Sequence, residues 1–291
     1  MVGRHFRALM VWVALALPAT AETYDLAERY AKGHEVLVTS SSVVDSEVTG
    51  TGPSALQDAI AAMSEGLSVT QTGQVRYLVR DAAGGRPVEQ EATVLKGETR
   101  AAGAPSATQA LHSKIEGIPI LIRAPRGGRK SYRGKSGGEI DQAEAARWCD
   151  DLPAELLEGE DVSSSRVGDS WTIKGDDLCR RLGLPEGSDG RIELTFEAVV
   201  EQDGKRLAQL AVAWTMSSAP AAGKALLSGM EMNLKGYYFI DLDTHLPYYL
   251  DLHGDSTMDL RVPDPGGAEA TMSITSRLRF VLVYTLMAVG A

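Results

Sequence analysis

Apolar and polar residues alternate along most of this chain with a period of two. Ile192, Leu194, Phe196 and Ala198 are interleaved with Arg191, Glu193, Thr195 and Glu197. Val75, Tyr77 and Val79 repeat the pattern. Leu278, Phe280, Leu282, Tyr284 and Leu286 repeat it again, opposite Arg277 and Arg279. Successive side chains in a strand point to opposite faces, so each segment predicts a strand with one buried and one wet face. Glycine-bearing turns divide them. Asp203-Gly204 predicts a hairpin between Glu193–Val200 and Arg206–Trp214, and Gly84-Gly85 predicts one between Val75–Arg80 and Val88–Leu95. Pro263 to Gly267 marks a loop before the last strand. Phe280 to Ala291 is apolar, but its 12 residues fall short of the roughly 20 that a spanning helix needs. It reads as a buried last strand, with a membrane-inserted tail as the alternative.

Three short helices interrupt the strands. Ser54 with Gln57 makes a capping box before Leu56, Ile60 and Met63, and Gly66 can end that helix. Asp141 with Glu144 opens a second helix through Trp148 toward Leu152. Asp176 caps a third, ending at Gly183. Glycines also hint at a duplication. Gly85 and Gly204 lie 119 positions apart, as do Gly117 and Gly236, and Gly134 and Gly254 lie 120 apart. The fold class expected is mainly β: an antiparallel meander of two similar β-units, forming an open sheet, a half-barrel or two packed sheets, with the three helices on an open face or edge. Residues 22–140 would be the first unit, 141–161 a helical linker and 162–291 the second unit.

Residues 1–21 stand apart. Arg4 and Arg7 precede an apolar run, Ala8 to Pro18, too short to cross a bilayer, and Ala19-Thr20-Ala21 is a small-x-small cleavage site. This predicts a signal peptide and a mature chain beginning near Glu22. With no cysteine at the cut, a soluble, unanchored periplasmic or secreted protein is expected, with no transmembrane segment after cleavage. In that oxidising setting Cys149 and Cys179 suggest a disulfide, with a reactive thiol as the alternative.

Charge narrows the partners. The formal charge is −10, and an acidic surface repels nucleic acid and anionic lipid. The local exception runs from Arg123 to Lys135 and contains Arg126, Arg129, Lys130 and Arg133 without an acid. These four are a candidate anion patch for phosphate, an anionic glycan or a headgroup. The other reading is a solvated hairpin tip centred on Gly127-Gly128.

Candidate chemistry is sparse. Asp241, Asp243, His245, Asp251, His253 and Asp255 crowd one segment, and Asp241, Asp243, His245 and His253 are the metal-ligand candidates there. The spacing fits a hairpin turn at Asp243–Pro247 and a solvated strand face better. Gly168-Asp169-Ser170 and Gly254-Asp255-Ser256 resemble the Gly-Asp-Ser of one esterase superfamily, whose base lies in an Asp-x-x-His. Here Ala31, Gln109, Leu242 and Leu250 stand three places before His34, His112, His245 and His253. A serine without a base is a poor nucleophile, so both triplets read as turns leading into strands. No nucleophile elbow, zinc-helix motif, phosphate loop or dinucleotide fingerprint is present, and no cofactor is expected. Tyr237, Tyr238, Phe239, Tyr248 and Tyr249 put large apolar surface on both faces of one hairpin. One face would line an apolar cavity, or the hairpin would lie between two packed layers.

The order of pieces is Lys32-Gly33-His34-Glu35-Val36, Ile115-Glu116-Gly117, Arg166-Val167-Gly168-Asp169-Ser170-Trp171, Leu182-Gly183-Leu184, then Lys235-Gly236 and Phe239 to Asp243. It resembles an uncharacterised family of exported bacterial β-rich proteins, a domain of unknown function with no assigned catalytic residues. In architecture alone the outline is similar to periplasmic lipoprotein-carrier folds. The expected function is a non-enzymatic exported protein that binds a lipid, another apolar or amphipathic ligand, or an envelope partner. The alternatives are a structural or assembly factor of the envelope and a metal-assisted hydrolase.

Overall fold

The computed structural model describes residues 22–51, 57, 66–103, 110–123, 130–149, 157, 162–174, 188–218, 227–263 and 269–287. Twelve strands and one helix occur among them. The first six strands are β1 (Glu35–Thr51), β2 (Leu67–Ala83), β3 (Arg86–Ala102), β4 (Leu111–His112), β5 (Pro119–Arg123) and β6 (Ser131–Gly134). Helix α1 (Gln142–Cys149) follows. Then come β7 (Ser170–Lys174), β8 (Ser188–Gln202), β9 (Lys205–Ser218), β10 (Leu227–Asp241), β11 (Leu246–Pro263) and β12 (Glu269–Met287).

All twelve strands form one antiparallel open sheet in the order β6-β5-β3-β2-β1-β12-β11-β10-β9-β8-β7, with β4 beside β3. Of the three arrangements expected, the open sheet is the one found. Short strands, β6 and β7, stand at its two edges, which limits the unpaired backbone offered to other chains. The first and last strands are neighbours in the middle, paired from Glu35↔Met287 to Thr51↔Thr271. The hairpin turns fall where expected. Gly84, Gly85 and Gly204 all take positive φ, which tight hairpins require and glycine permits without strain. Gly117 also sits in a turn, whereas Gly236 and Gly254 lie inside β10 and β11.

The register places one apolar face across the whole sheet. Tyr132, Ile122, Val79, Val75, Val38 and Tyr284 share it with Leu250, Tyr238, Leu210, Phe196 and Ile173. This inner face buries two clusters. One surrounds Tyr77, Ile120 and Trp148, and the other surrounds Phe196, Leu210 and Tyr238.

Two pieces cover it. Asp141 caps α1, its Oδ1 accepting from the amides of Ala143 at 3.0 Å and Glu144 at 3.1 Å. Glu144 does not complete a capping box. Its Oε1 accepts from the Lys114 amide and from Trp148 Nε1, both at 3.1 Å. Trp148 lies over Gly73 and Gly97, where an added Cβ would come within 3.2 and 3.1 Å of its ring. Both glycines are therefore needed for this close approach. The second cover is a strap of irregular chain, residues 24–33, which crosses the inner face with Leu26 and Tyr30 buried. Leu26 joins the second cluster and Tyr30 the first, so the strap ties the two together.

The strap also reports the shape of the sheet. The Arg29 amide donates to the His245 carbonyl at 2.9 Å and the next amide, Tyr30, donates to Gly85 at 2.6 Å. Those carbonyls belong to the β10–β11 and β2–β3 turns, whose midpoints are four strand spacings apart in the sheet. A flat sheet would separate them by about 19 Å. Successive amides, about 3.8 Å apart along the chain, can span only about half of that. The sheet is curled toward its inner face at this end, here named the closed end. The opposite, open end holds the tips of β1, β11 and β12.

Three expectations need correction. One helix, not three, occurs as an element among the described residues. Gln57 is helical, but the rest of the Ser54 helix and the whole segment from Asp176 to Gly183 lie outside the described residues. Gly254-Asp255-Ser256 is not a turn but the middle of β11, because Leu252 and Met258 continue the alternation through it. The chain end is not uniformly buried: Tyr284 is, whereas Leu286 and Met287 are 40% and 38% exposed.

Candidate functional site

The inner face divides into two zones. At the closed end it is packed: Phe196, Leu210, Tyr238 and Ile240 have no exposure. A polar pair sits inside this zone. Tyr238 donates its hydroxyl to Glu28 Oε1 on the strap at 2.5 Å. Burial first, then the Glu28 charge and the nearby Tyr30 and Tyr284, raises the Tyr238 phenol well above its ordinary value. Burial and Glu28 do the same to Tyr30.

Toward the open end the same face continues but is only half-buried. Successive rows across β9, β10, β11, β12 and β1 read Trp214–Leu234–Gly254–Leu278–Val44, then Met216–Met232–Ser256–Ser276–Ser46, then Ser218–Met230–Met258–Ile274–Val48. Leu260 and Met272 extend it. Val48, Ser46, Ser276, Leu234 and Met216 are buried, whereas Met230, Met232, Met258, Met272, Ile274 and Leu278 are half-buried. No charged side chain occurs in these rows. Two buried donors in it, Trp214 Nε1 and Ser218 Oγ, have no hydrogen-bond partner among the described residues. Ser46 and Ser276 satisfy each other at 2.8 Å.

Sequence reading missed this surface. Its signal was the parity of the methionines. Met230 and Met232 share the face of Leu234 and Tyr238, and Met258 and Met272 share that of Leu250 and Leu278. The methionines carry no motif and stand on strands far apart in sequence, so the parity was not read.

The outer face is polar and aromatic. Tyr237, Phe239 and Tyr249 form a chain of ring contacts, with centroids 6.2 and 6.0 Å apart. Asp251 accepts from Arg279 Nη2 at 2.8 Å and from the Tyr249 hydroxyl at 3.1 Å. Both faces of the β10–β11 hairpin thus carry aromatics, with Tyr238 inside and Tyr237 outside. At the open end a cleft of about 570 Å³ is lined by Thr49, Thr51, Asp259, Arg261, Thr271 and Ser273 among others. The lining also takes in Leu260 and Met272 of the inner face, so the cleft meets both faces at the tips of β1, β11 and β12.

The metal candidates have other work or stand apart. Asp241 is buried and closes its own turn, Oδ1 accepting from the amides of Asp243 at 3.0 Å and Thr244 at 3.2 Å, while Oδ2 pairs with Lys205. Burial pushes its carboxyl up, but Lys205 and the two amides outweigh that and hold it below its ordinary value. His245 takes a positive φ of 56° in the turn, and its Nδ1 is buried without a hydrogen-bond partner. Asp243 is exposed, and His253 is exposed on the outer face of β11. Among the described residues no three His, Cys, Asp or Glu side chains gather as a metal would need.

Of the anion-patch candidates, Arg133 is exposed on the edge strand β6 and Lys130 is half-buried beside it. Arg126 and Arg129 lie outside the described residues. Their basic neighbours are matched: Arg123 pairs with Glu89 at 2.8 Å and Lys135 with Glu91 at 2.9 Å. Cys149 is buried at the end of α1, and Cys179 lies outside the described residues, so no disulfide joins two described residues. In the other Gly-Asp-Ser triplet, Asp169 Oδ2 accepts from the Arg166 amide at 2.7 Å and Ser170 Oγ meets Thr195 at 3.0 Å. That is a turn leading into β7. No helix of the described residues is long and apolar enough to cross a membrane.

No family model matches the chain, and no curated protein matches it. Among solved structures it is similar to a lipovitellin chain from work described as "Lipid-protein interactions in lipovitellin", at 10% identity and a TM-score of 0.46, over 90% of this chain and 26% of that one. The chain thus spans 26% of the lipovitellin length. A second likeness is to an acetoacetate decarboxylase-like enzyme from Sphingomonas wittichii RW1, at 12% identity and a TM-score of 0.12, over 89% and 94% of the two chains. At these values neither likeness bears on what this chain does.

Proposed function

We propose that this chain is an exported, non-enzymatic binding protein that holds an apolar or amphipathic ligand against the open-end half of its inner face. The observation that carries the reading is the half-burial of Met230, Met232, Met258, Met272, Ile274 and Leu278 on a face whose other half is packed. Contiguous apolar surface left in water is costly, about 25 cal/mol per Å². Such patches mark sites that another apolar surface covers. The closed end supports the same reading, since the strap already covers it with Leu26 and Tyr30 buried.

The chain purified from its native host and extracted with organic solvent should release a ligand with a hydrocarbon chain, seen by mass spectrometry. The emptied protein should then enhance the fluorescence of an apolar dye, and the extract should displace it. No extractable ligand together with no dye binding would end this reading. Export belongs to the same proposal. The exported protein should begin at Glu22 by intact mass.

A further inference from the structure

Five of the nine methionines, Met216, Met230, Met232, Met258 and Met272, occupy one block on the open-end inner face. Met216 stands directly opposite Met232, and Met230 directly opposite Met258. Strand positions favour β-branched and aromatic residues, and the packed half of this same face follows that preference with Val36, Val38, Val75, Ile122 and Phe196. Methionine here runs against local propensity. Its unbranched, polarizable side chain re-packs around guests of different shape, a property that rigid branched side chains lack.

We infer that the methionine block is a deformable wall for long-chain acyl groups, one that accepts straight and kinked chains alike. This rests on the proposed function and names the ligand class for the same site. Three observations fit an acyl chain. The rows from Leu278 to Met272 span six residues of β12, about 20 Å, enough to lay out a chain that fills one leaflet of a membrane, about half of its 30 Å core. No charge interrupts those rows. Trp214 Nε1 and Ser218 Oγ, buried donors without a partner among the described residues, flank Met216 on β9, where an acyl carbonyl oxygen can accept from either. Buried donors are ordinarily satisfied, and a carbonyl-bearing ligand would satisfy one here.

The test uses the purified full chain with palmitate as the straight probe and oleate as the kinked one, each displacing a bound apolar dye. The wild-type chain should bind the two within about threefold of each other, a difference of about 0.7 kcal/mol. The variant with Met216, Met230, Met232, Met258 and Met272 all changed to Leu should keep palmitate and lose oleate by about tenfold or more, since volume is conserved and only adaptability is removed. A variant that keeps the wild-type ratio overturns the inference and leaves the proposed function standing. A wild-type chain that binds the dye but neither acid overturns the inference and leaves the proposed function standing. Should the fivefold variant not fold, carbon-13 labelling of the methionine methyls in the wild-type chain decides. Palmitate should shift the five resonances and leave that of Met287, at the closed end of β12, in place. Palmitate binding that leaves the five unmoved overturns the inference.

Discussion

The two ends of the inner face are built from the same strands in the same register, yet they differ in how they meet water. At the closed end Phe196, Leu210 and Tyr238 are wholly buried under the strap, and their neighbours are aromatic or branched. At the open end Met230, Met232 and Met258 are half-buried, and their unbranched side chains re-pack easily. Pattern alone makes an apolar face. What lies over it decides whether that face is core or site. The strap makes the difference: its backbone is anchored to Ser165, Val162, His245, Gly85 and Val79, all away from the open-end rows.

Stability measurements would break this comparison most directly. Phe196→Ala should lower the unfolding free energy by about 3–5 kcal/mol, the usual cost of emptying a packed aromatic site. Met258→Ala should cost only about 1–2 kcal/mol, because part of that side chain never leaves water. Both are read from urea denaturation, and equal costs would erase the distinction between the ends. Gly97→Ala comes next. A Cβ there would lie 2.8 Å from Ser113 Cβ and 3.1 Å from the Trp148 ring. Overpacking of about 1–3 kcal/mol is expected, with a change in the near-ultraviolet dichroism of Trp148 as α1 is lifted.

The closed end should also carry the larger pH response. Asp241 is held below its ordinary carboxyl value, although burial works the other way, by Lys205 and two amides. A carboxyl depressed in the folded state adds stability above its unfolded value, about 3.9. That contribution is lost as pH falls through the folded value. Lys205→Met should remove part of this acid-side slope and cost about 1 kcal/mol near pH 7, less than a buried pair would because 40% of the Lys205 side chain meets water. An unchanged acid limb in the variant would show that the pair does not knit the turn. The smallest effect is spectroscopic. Burial and Asp251 push Tyr249 up to about 12, and burial and Asp203 do the same for Tyr248. Alkaline difference spectra should show neither ionising near pH 10, and early ionisation of Tyr249 would mean that its bond to Asp251 does not persist in solution.

Sequence reading reached the strands and turns because both are local. Period-two alternation placed Val75–Val79, Ile192–Phe196 and Leu278–Tyr284 on one face, and Asp203-Gly204 and Gly84-Gly85 need positive φ, which glycine supplies. It did not reach the neighbours of β1 and β12, which pair across more than 200 residues with no local signal. The same limit hid the site. Met216, Met232 and Met258 are scattered in sequence and become one surface only through cross-strand register. Asp241 shows the converse. Its cluster of acids and histidines looked chemical in one dimension, and the fold uses the carboxylate to close a turn.

The β1–β12 pairing governs how the molecule comes together. The chain leaves the middle of the sheet through β1, travels out to one edge, resumes at the other and comes back to the middle only with β12. Two wings can therefore assemble separately, each from near neighbours, while one flank of β1 waits. Joining them requires closing nearly the whole chain into a loop, a slow step dominated by lost entropy. Until that last strand arrives, the waiting flank of β1 is an unpaired edge in the middle of the future sheet, the place where a half-made copy would be captured by another.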